Sequence, residues 1–173
     1  MSRAGYEVRA VGKDANAVRE TARWSDVVIL ALPYEAAGQV LDANRDVVAG
    51  KPIIDVTNPL TPDYQLALGF TTSAAEQLQA KAPSAKMVKA FNYLFAPQMA
   101  TGTVNNTTLS LFVAGDDDSA KGTVQELGRD LGFDAIDSGP LTNARWLEAL
   151  GYLNIQLGFM QKMGTNIGFK LVR

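Results

Sequence analysis

The run Asp26-Val27-Val28-Ile29-Leu30-Ala31-Leu32 is apolar at every position after its first and stops at Pro33. A strand with one face in water carries polar residues at alternate positions. This run carries none, so it suits a strand covered on both faces, as in a parallel sheet between layers of helices. Four further runs read the same way: Pro52-Ile53-Ile54-Asp55-Val56, Met87-Val88-Lys89-Ala90-Phe91, Leu109-Ser110-Leu111-Phe112-Val113-Ala114, and 133–137. Each ends at a turn signal or at a residue that breaks the pattern.

Helix-period segments lie between these runs. Glu35 to Val48 places Val40, Leu41, Val47 and Val48 on one face, and Ser73-Ala74-Ala75-Glu76 has the form of a capping box. Ala120, Val124, Leu127 and Leu131 recur at helical spacing, with Gly132 as a C-terminal cap. A last long helix begins near Asn143, with Leu147, Leu150, Leu153, Leu157 and Met160 as its expected buried stripe. Strands alternating with helices predict an α/β layered fold, and no linker or repeat divides the 173 residues into more than one domain.

Composition removes several kinds of chemistry. The chain has no cysteine and no histidine, so disulfides, thiolate nucleophiles and the usual zinc ligands and acid–base residue are missing. A net charge of -2 gives no electrostatic footprint for nucleic acid. Neither a signal-peptide pattern nor an apolar run of the roughly 20 residues that a membrane span needs is evident, so a cytoplasmic setting is the expectation. Asp116-Asp117-Asp118 reads as an acidic turn before a helix in preference to a metal site.

The first residues read as an extended segment. Gly5-Tyr6-Glu7-Val8-Arg9-Ala10-Val11-Gly12-Lys13 looks like the second strand of a dinucleotide-binding unit, following a helix end at Gly5. Folds that select NAD place an acidic residue at the tip of that strand, to hold the ribose 2′-hydroxyl. Here Gly12 and Lys13 stand at the tip. Lys13 either pairs with a 2′-phosphate, which favours NADP, or is an ordinary solvated lysine. In open α/β sheets ligands bind beyond the C-terminal ends of the strands, which draws attention to Leu32 and Pro33, to Asn58 and Pro59, and to Ala90, Phe91 and Asn92. Pro33 equally suits a helix start, Asn58-Pro59 a plain turn and Phe91 plain core. Lys89, inside a strand, must face outward or be paired, because a lone buried ammonium is costly.

Taken in order, Gly5-Tyr6-Glu7-Val8, Leu30-Ala31-Leu32-Pro33-Tyr34, Ile54-Asp55-Val56-Thr57-Asn58-Pro59-Leu60, Ser73-Ala74-Ala75-Glu76, Val88-Lys89-Ala90-Phe91-Asn92 and Ser138-Gly139-Pro140-Leu141, followed by Ala144-Arg145 and Glu148, resemble one family. It is that of the NADP oxidoreductases that use a reduced deazaflavin coenzyme, with their wider group of dinucleotide-binding proteins. The resemblance implies a Rossmann-like, doubly wound, mostly parallel sheet. It also implies NADP as cofactor, with a deazaflavin, a flavin or another small acceptor as co-substrate. Gly12 and Lys13 would lie at the 2′-phosphate, Leu32 and Pro33 near the nicotinamide, and Asn58, Pro59, Ala90, Phe91 and Asn92 along the hydride-transfer cleft.

Two departures from the family pattern carry expectations. Tyr93 stands where a small Thr is usual and is expected to narrow the acceptor pocket. The family's first strand and glycine-rich loop have no counterpart, so an N-terminally truncated domain is expected, with Tyr6–Val11 either paired directly with Val27–Leu32 or poorly ordered. A non-enzymatic dinucleotide-binding remnant is the alternative function. The last helix, with Gly151 and Gly158, either covers its own sheet or packs against a second subunit in a homodimer.

Overall fold

The computed structural model describes residues 4–173. Helix α1 (Ala15–Trp24) is capped by Asp14, whose carboxylate accepts from the Ala17 amide at 2.8 Å. Strand β1 (Val28–Leu30), helix α2 (Tyr34–Val48), strand β2 (Pro52–Asp55), helix α3 (Ala74–Lys81) and strand β3 (Lys86–Lys89) follow as successive strand–helix units. The short helix α4 (Ala96–Met99) and a hairpin of β4 (Thr103–Val104) and β5 (Thr107–Thr108) then lead to β6 (Ser110–Gly115). Helix α5 (Asp118–Asp130) and strand β7 (Asp134–Asp137) come next, and a short 3-10 turn, Leu141–Asn143, opens helix α6 (Ala144–Ile155).

The five longer strands form one sheet in the order β1-β2-β3-β6-β7. Three of its four pairings are parallel, and β3 meets β6 antiparallel, through Val88↔Gly115 and Lys89↔Ala114. The mostly parallel α/β sheet matches the sequence expectation. The reversal at β6 follows from the connection there, a hairpin and a four-residue helix in place of a full helical crossover. That hairpin turns on Asn105 and Asn106, both at positive φ (48° and 64°), the pairing a tight two-residue turn needs.

All five apolar runs supply a strand of this sheet. Double coverage is visible at β2 and β3, where the core divides by side-chain parity; the edge strands β1 and β7 depart from it, with Ile29 37% exposed and no residue of β7 buried. Ile53 and Met87 join Leu30, Leu41, Leu78 and Leu141 on one face, and Ile54 and Val88 join Leu111, Val113, Val124 and Phe133 on the other. A fully buried side chain of this kind contributes about 1.5–3 kcal/mol relative to leaving it exposed.

The ends of the helices are closed by side chains. Ser73 accepts from the Glu76 amide at 3.1 Å and donates to the Glu76 carboxylate at 2.7 Å, at the expected capping box. Asp117, within the acidic run, accepts from the Ala120 amide and so caps α5. Gly132, at φ +92°, ends α5 with the Phe133 amide on the Gly128 carbonyl and its own amide on Arg129, a paired closure that satisfies two free carbonyls. The Lys51 ammonium donates to the Ala22, Arg23 and Ser25 carbonyls (2.6–2.9 Å) and pins the end of α1 beside β2.

Three expectations are corrected. First, residues 6–11 form no strand and are exposed; of the two expected outcomes, direct pairing with Val27–Leu32 is not seen. The segment is held instead by its side chains: the Tyr6 hydroxyl donates to Asp130 at 2.6 Å, and the Arg9 guanidinium lies 3.8 Å from the Trp24 ring centroid. Second, the expected apolar stripe of α6 is buried only in part: Leu147 is buried and Leu150 packs against the core, but the stripe does not continue inward beyond them. Ala144, Leu147, Glu148, Gly151 and Asn154 face inward, whereas Leu153 (47%) and Met160 (53%) are exposed. Polar groups at the strand ends recruit Glu148 and Asn154, and this pairing overrides the apolar periodicity.

Third, Tyr93 lines no open pocket, since only 1% of it is exposed. Its hydroxyl donates to the Ser110 carbonyl at 2.7 Å and accepts from the Phe112 amide at 2.8 Å. Strand β3 ends before it reaches this part of β6, so the phenol satisfies the two backbone groups a neighbouring strand would otherwise bond. Tyr93→Phe leaves the Phe112 amide and Ser110 carbonyl without that partner and is expected to cost about 1–3 kcal/mol. At roughly 2–4 °C per kcal/mol for a chain of this size, calorimetry reads this as a clear fall in Tm. An unchanged Tm would show that the bridge contributes nothing.

Candidate functional site

The parallel register places Leu30, Asp55 and Lys89 side by side at the C-terminal ends of β1, β2 and β3. The segments that leave these ends therefore emerge along one edge of the sheet. Leu32 and Pro33 follow β1 and are exposed, Pro33 directly preceding α2. Asn58 is half-buried and Pro59 buried after β2, while Ala90, Phe91 and Asn92 follow β3 with at most 6% exposed.

Two of these residues form a reciprocal pair. The Asn58 side-chain amide donates to the Asn92 carbonyl at 2.7 Å, and the Asn92 amide donates to the Asn58 side-chain oxygen at 2.9 Å and to the Leu147 carbonyl of α6 at 2.8 Å. Phe91 makes the pairing possible. It sits at φ 64°, a costly conformation for an aromatic residue, which turns the chain so that Asn92 faces back toward Asn58. Its ring is anchored edge-on against Phe133, with centroids 6.0 Å apart. Gly151 of α6 closes the arrangement from above: a Cβ there would come within 2.5 Å of the Asn58 oxygen and 2.7 Å of the Asn92 nitrogen. Asn58 is thus already engaged, and Ala90 (0% exposed) and Phe91 lie within the core beneath the edge.

Gly12 and Lys13 are not part of this arrangement. Both are exposed, immediately before the cap of α1.

Beneath the edge lies a cluster of charge. The Lys89 ammonium donates to Asp55 at 2.9 Å, to the Thr57 carbonyl at 2.6 Å and to Glu148 at 3.0 Å, and no side chain of the three is more than 3% exposed. Asp55 also accepts from the Thr57 amide at 2.8 Å, which shapes the turn leading to Asn58. Glu148 accepts from the Ala74 and Ala75 amides (3.0 and 3.2 Å), the free donors at the start of α3. Lys89 is therefore paired, as the sequence required. That Glu148 reaches it from 59 residues away in the chain has no signature in spacing; the only hint is a lysine and an aspartate, each within an otherwise apolar strand run.

Polar capacity remains at the edge. Thr57 Oγ1 and Asn92 Oδ1 are buried without a partner among the described residues. A groove of about 590 Å³ between α3 and the start of β3, lined in part by Gln79, Lys86, Met87 and Asp116, contains none of the strand-end residues.

Two carboxyls here titrate in opposite directions. Arg145, with Ser73, holds the Glu76 carboxyl below its ordinary value of 4.5. Its stabilising contribution is present above that value and is lost as pH falls through the lowered one. Burial pushes the Glu148 carboxyl up, against the pull of Lys89. Stability from that group is greatest below 4.5 and declines as pH rises through the raised value. Glu76→Gln is expected to flatten the acid limb of a Tm-versus-pH curve, and Glu148→Gln to remove the decline on the neutral side. Unaltered curves in both variants would contradict these assignments.

Residues 2–59 match the family described as NADP oxidoreductase coenzyme F420-dependent. Metalloreductase STEAP3 of Rattus norvegicus is 33% identical over 132 residues, which are 76% of this chain and 26% of that protein; the chain thus spans about a quarter of the metalloreductase. A solved structure from Arthrobacter sp. FB24, described as an F420-dependent NADP-reductase, superposes with a TM-score of 0.84 at 32% identity, covering 90% of this chain and 73% of that one. The F420-dependent NADP reductase of Methanocaldococcus jannaschii is 30% identical over 174 residues, 96% of this chain and 76% of that protein. With that identity sustained over three quarters of a relative, and the fold shared with the Arthrobacter structure, the chain belongs to the F420-dependent NADP reductase family.

Proposed function

We propose that this chain is an NADP(H)-dependent oxidoreductase that binds the cofactor across the C-terminal edge of β1–β3. It exchanges a hydride between nicotinamide and a deazaflavin, a flavin or another small acceptor. The observation that carries the reading is the chemistry of that edge. Leu32 and Pro33 present an exposed apolar surface, Asn58 and Asn92 present locked amides, and the nearby charged groups Lys89, Asp55 and Glu148 are buried and committed to one another. Such an edge suits a planar ring held by stacking and by amide contacts, and asks no side chain to act as nucleophile. The nicotinamide supplies the hydride chemistry itself. Ala90 and Phe91 would serve from beneath, as support for the edge.

Gly12 and Lys13 take the 2′-phosphate end in this reading. Lys13→Glu is expected to weaken NADPH binding about tenfold, or about 1.4 kcal/mol, and to leave NADH nearly unchanged. Fluorescence titration of both nucleotides against both proteins reads the difference. Equal and weak binding of NADPH and NADH by the chain would sink the NADP reading. Tight binding without turnover of any ring acceptor would select the non-enzymatic binding module instead. Among the described residues no strand pairs with the outer edge of β1.

We further propose a homodimer through α6. Trp146 (55%), Leu153 (47%) and Met160 (53%) are exposed along the last helix and the π-turn that extends it, Gln156–Met160. The two helix glycines face elsewhere, Gly151 onto Asn58 and Asn92 and Gly158 onto the Phe95 ring. Light scattering is expected to give twice the chain mass, reduced to the single-chain mass by Leu153→Glu. A wild-type mass of one chain at micromolar concentration would overturn the dimer.

A further inference from the structure

The groups bonded within the Lys89 cluster come from separate parts of the fold that border the edge. Asp55 is the last residue of β2, Thr57 lies in the turn beyond it, Lys89 ends β3, the Ala74 and Ala75 amides begin α3, and Glu148 lies on α6. Glu148 is the member that joins α6 to the others. It accepts from three donors and occupies the same helix as Leu147 and Gly151, which meet Asn92 and Asn58. The register of α6 along the strand ends, and with it the shape of the two turns carrying Asn58 and Asn92, is thereby tied to one carboxylate.

We propose that Glu148 is a positioning residue. By accepting simultaneously from Lys89 and from the start of α3, it holds the Thr57–Pro59 and Phe91–Tyr93 turns in the arrangement that receives the nucleotide. This rests on the reading that the strand ends bind NADP(H). Charge balance favours the role. Two carboxylates face one ammonium, and the surplus negative charge is directed at the N-terminus of α3, where helix amides and the helix dipole stabilise it. A glutamine has nearly the same shape but cannot replace the carboxylate. With three donors converging on it, one must face the glutamine NH₂, itself a donor.

Hydrogen–deuterium exchange of the wild-type chain and Glu148→Gln tests this without requiring a cofactor. Exchange is expected to accelerate about tenfold in peptides covering 56–60 and 90–93, with β7 and the body of α5 unchanged. NADPH affinity is expected to fall about tenfold in parallel. Should Glu148→Gln fold poorly, the uncharged variant carrying Asp55→Asn, Lys89→Met and Glu148→Gln keeps the test alive, because a neutral cluster avoids stranding a buried charge. That variant is expected to keep a Tm near wild type while still binding NADPH weakly and exchanging faster in the two turns. Unchanged exchange in those turns, uniform acceleration across the chain, or wild-type NADPH affinity in the folded variants would overturn the proposal. A wild-type chain that binds no NADPH would instead refute the nucleotide reading, and the exchange pattern would still decide whether Glu148 positions the turns.

Discussion

The arrangement of the sheet's C-terminal edge depends on one buried ammonium. Lys89 lies in the middle strand of the sheet with none of its side chain exposed. Removing one partner from a buried pair costs about 3–5 kcal/mol, because the remaining charge is stranded. The neighbouring segments are therefore constrained to deliver carboxylates to it. Asp55 arrives from the adjoining strand in register, but Glu148 must come from a helix near the other end of the sequence. Meeting that demand brings α6 across the strand ends and sets it against the start of α3.

Once α6 is placed, much of the local geometry follows. Its inward face carries Glu148, Gly151 and Asn154, each matched to a polar group or a close approach at the strand ends; Asn154, for example, donates to the Tyr93 carbonyl at 2.7 Å. The left-handed turn at Phe91 is the cost of directing Asn92 into that meeting point, offset by ring packing against Phe133. The same placement turns Trp146, Leu153 and Met160 outward, which is why an apolar stripe on this helix is exposed.

Much of this was legible in the chain. The five runs were readable as strands because short, mainly apolar segments ended by turn signals suit a sheet covered by helices, although only the inner strands are buried on both faces. The capping box at Ser73 and the glycine closing α5 were readable because both satisfy backbone groups within a few residues. The α6 stripe was legible at Leu147 and Leu150 but misread beyond them, because the buried face is set by partners far away in sequence and hydrophobicity alone ranks Leu153 above Glu148 for burial. Tyr93 was misread for a related reason: a phenol standing in for a missing strand is defined by where β3 stops relative to β6. The reversal of β6 was hidden as well, since a run buried on both faces looks the same in either direction.

Local rules, in short, determined the elements themselves, the order of strands and helices along the chain, and the requirement that Lys89 find a counter-charge. These are decided by backbone hydrogen bonding, side-chain period and desolvation, all of which act within or near one segment. Tertiary structure alone decided which carboxylates answer Lys89, that Asn58 and Asn92 bind each other, and which face of α6 is buried. Those outcomes depend on bringing groups together across tens of residues, and no periodicity along the chain encodes such a meeting.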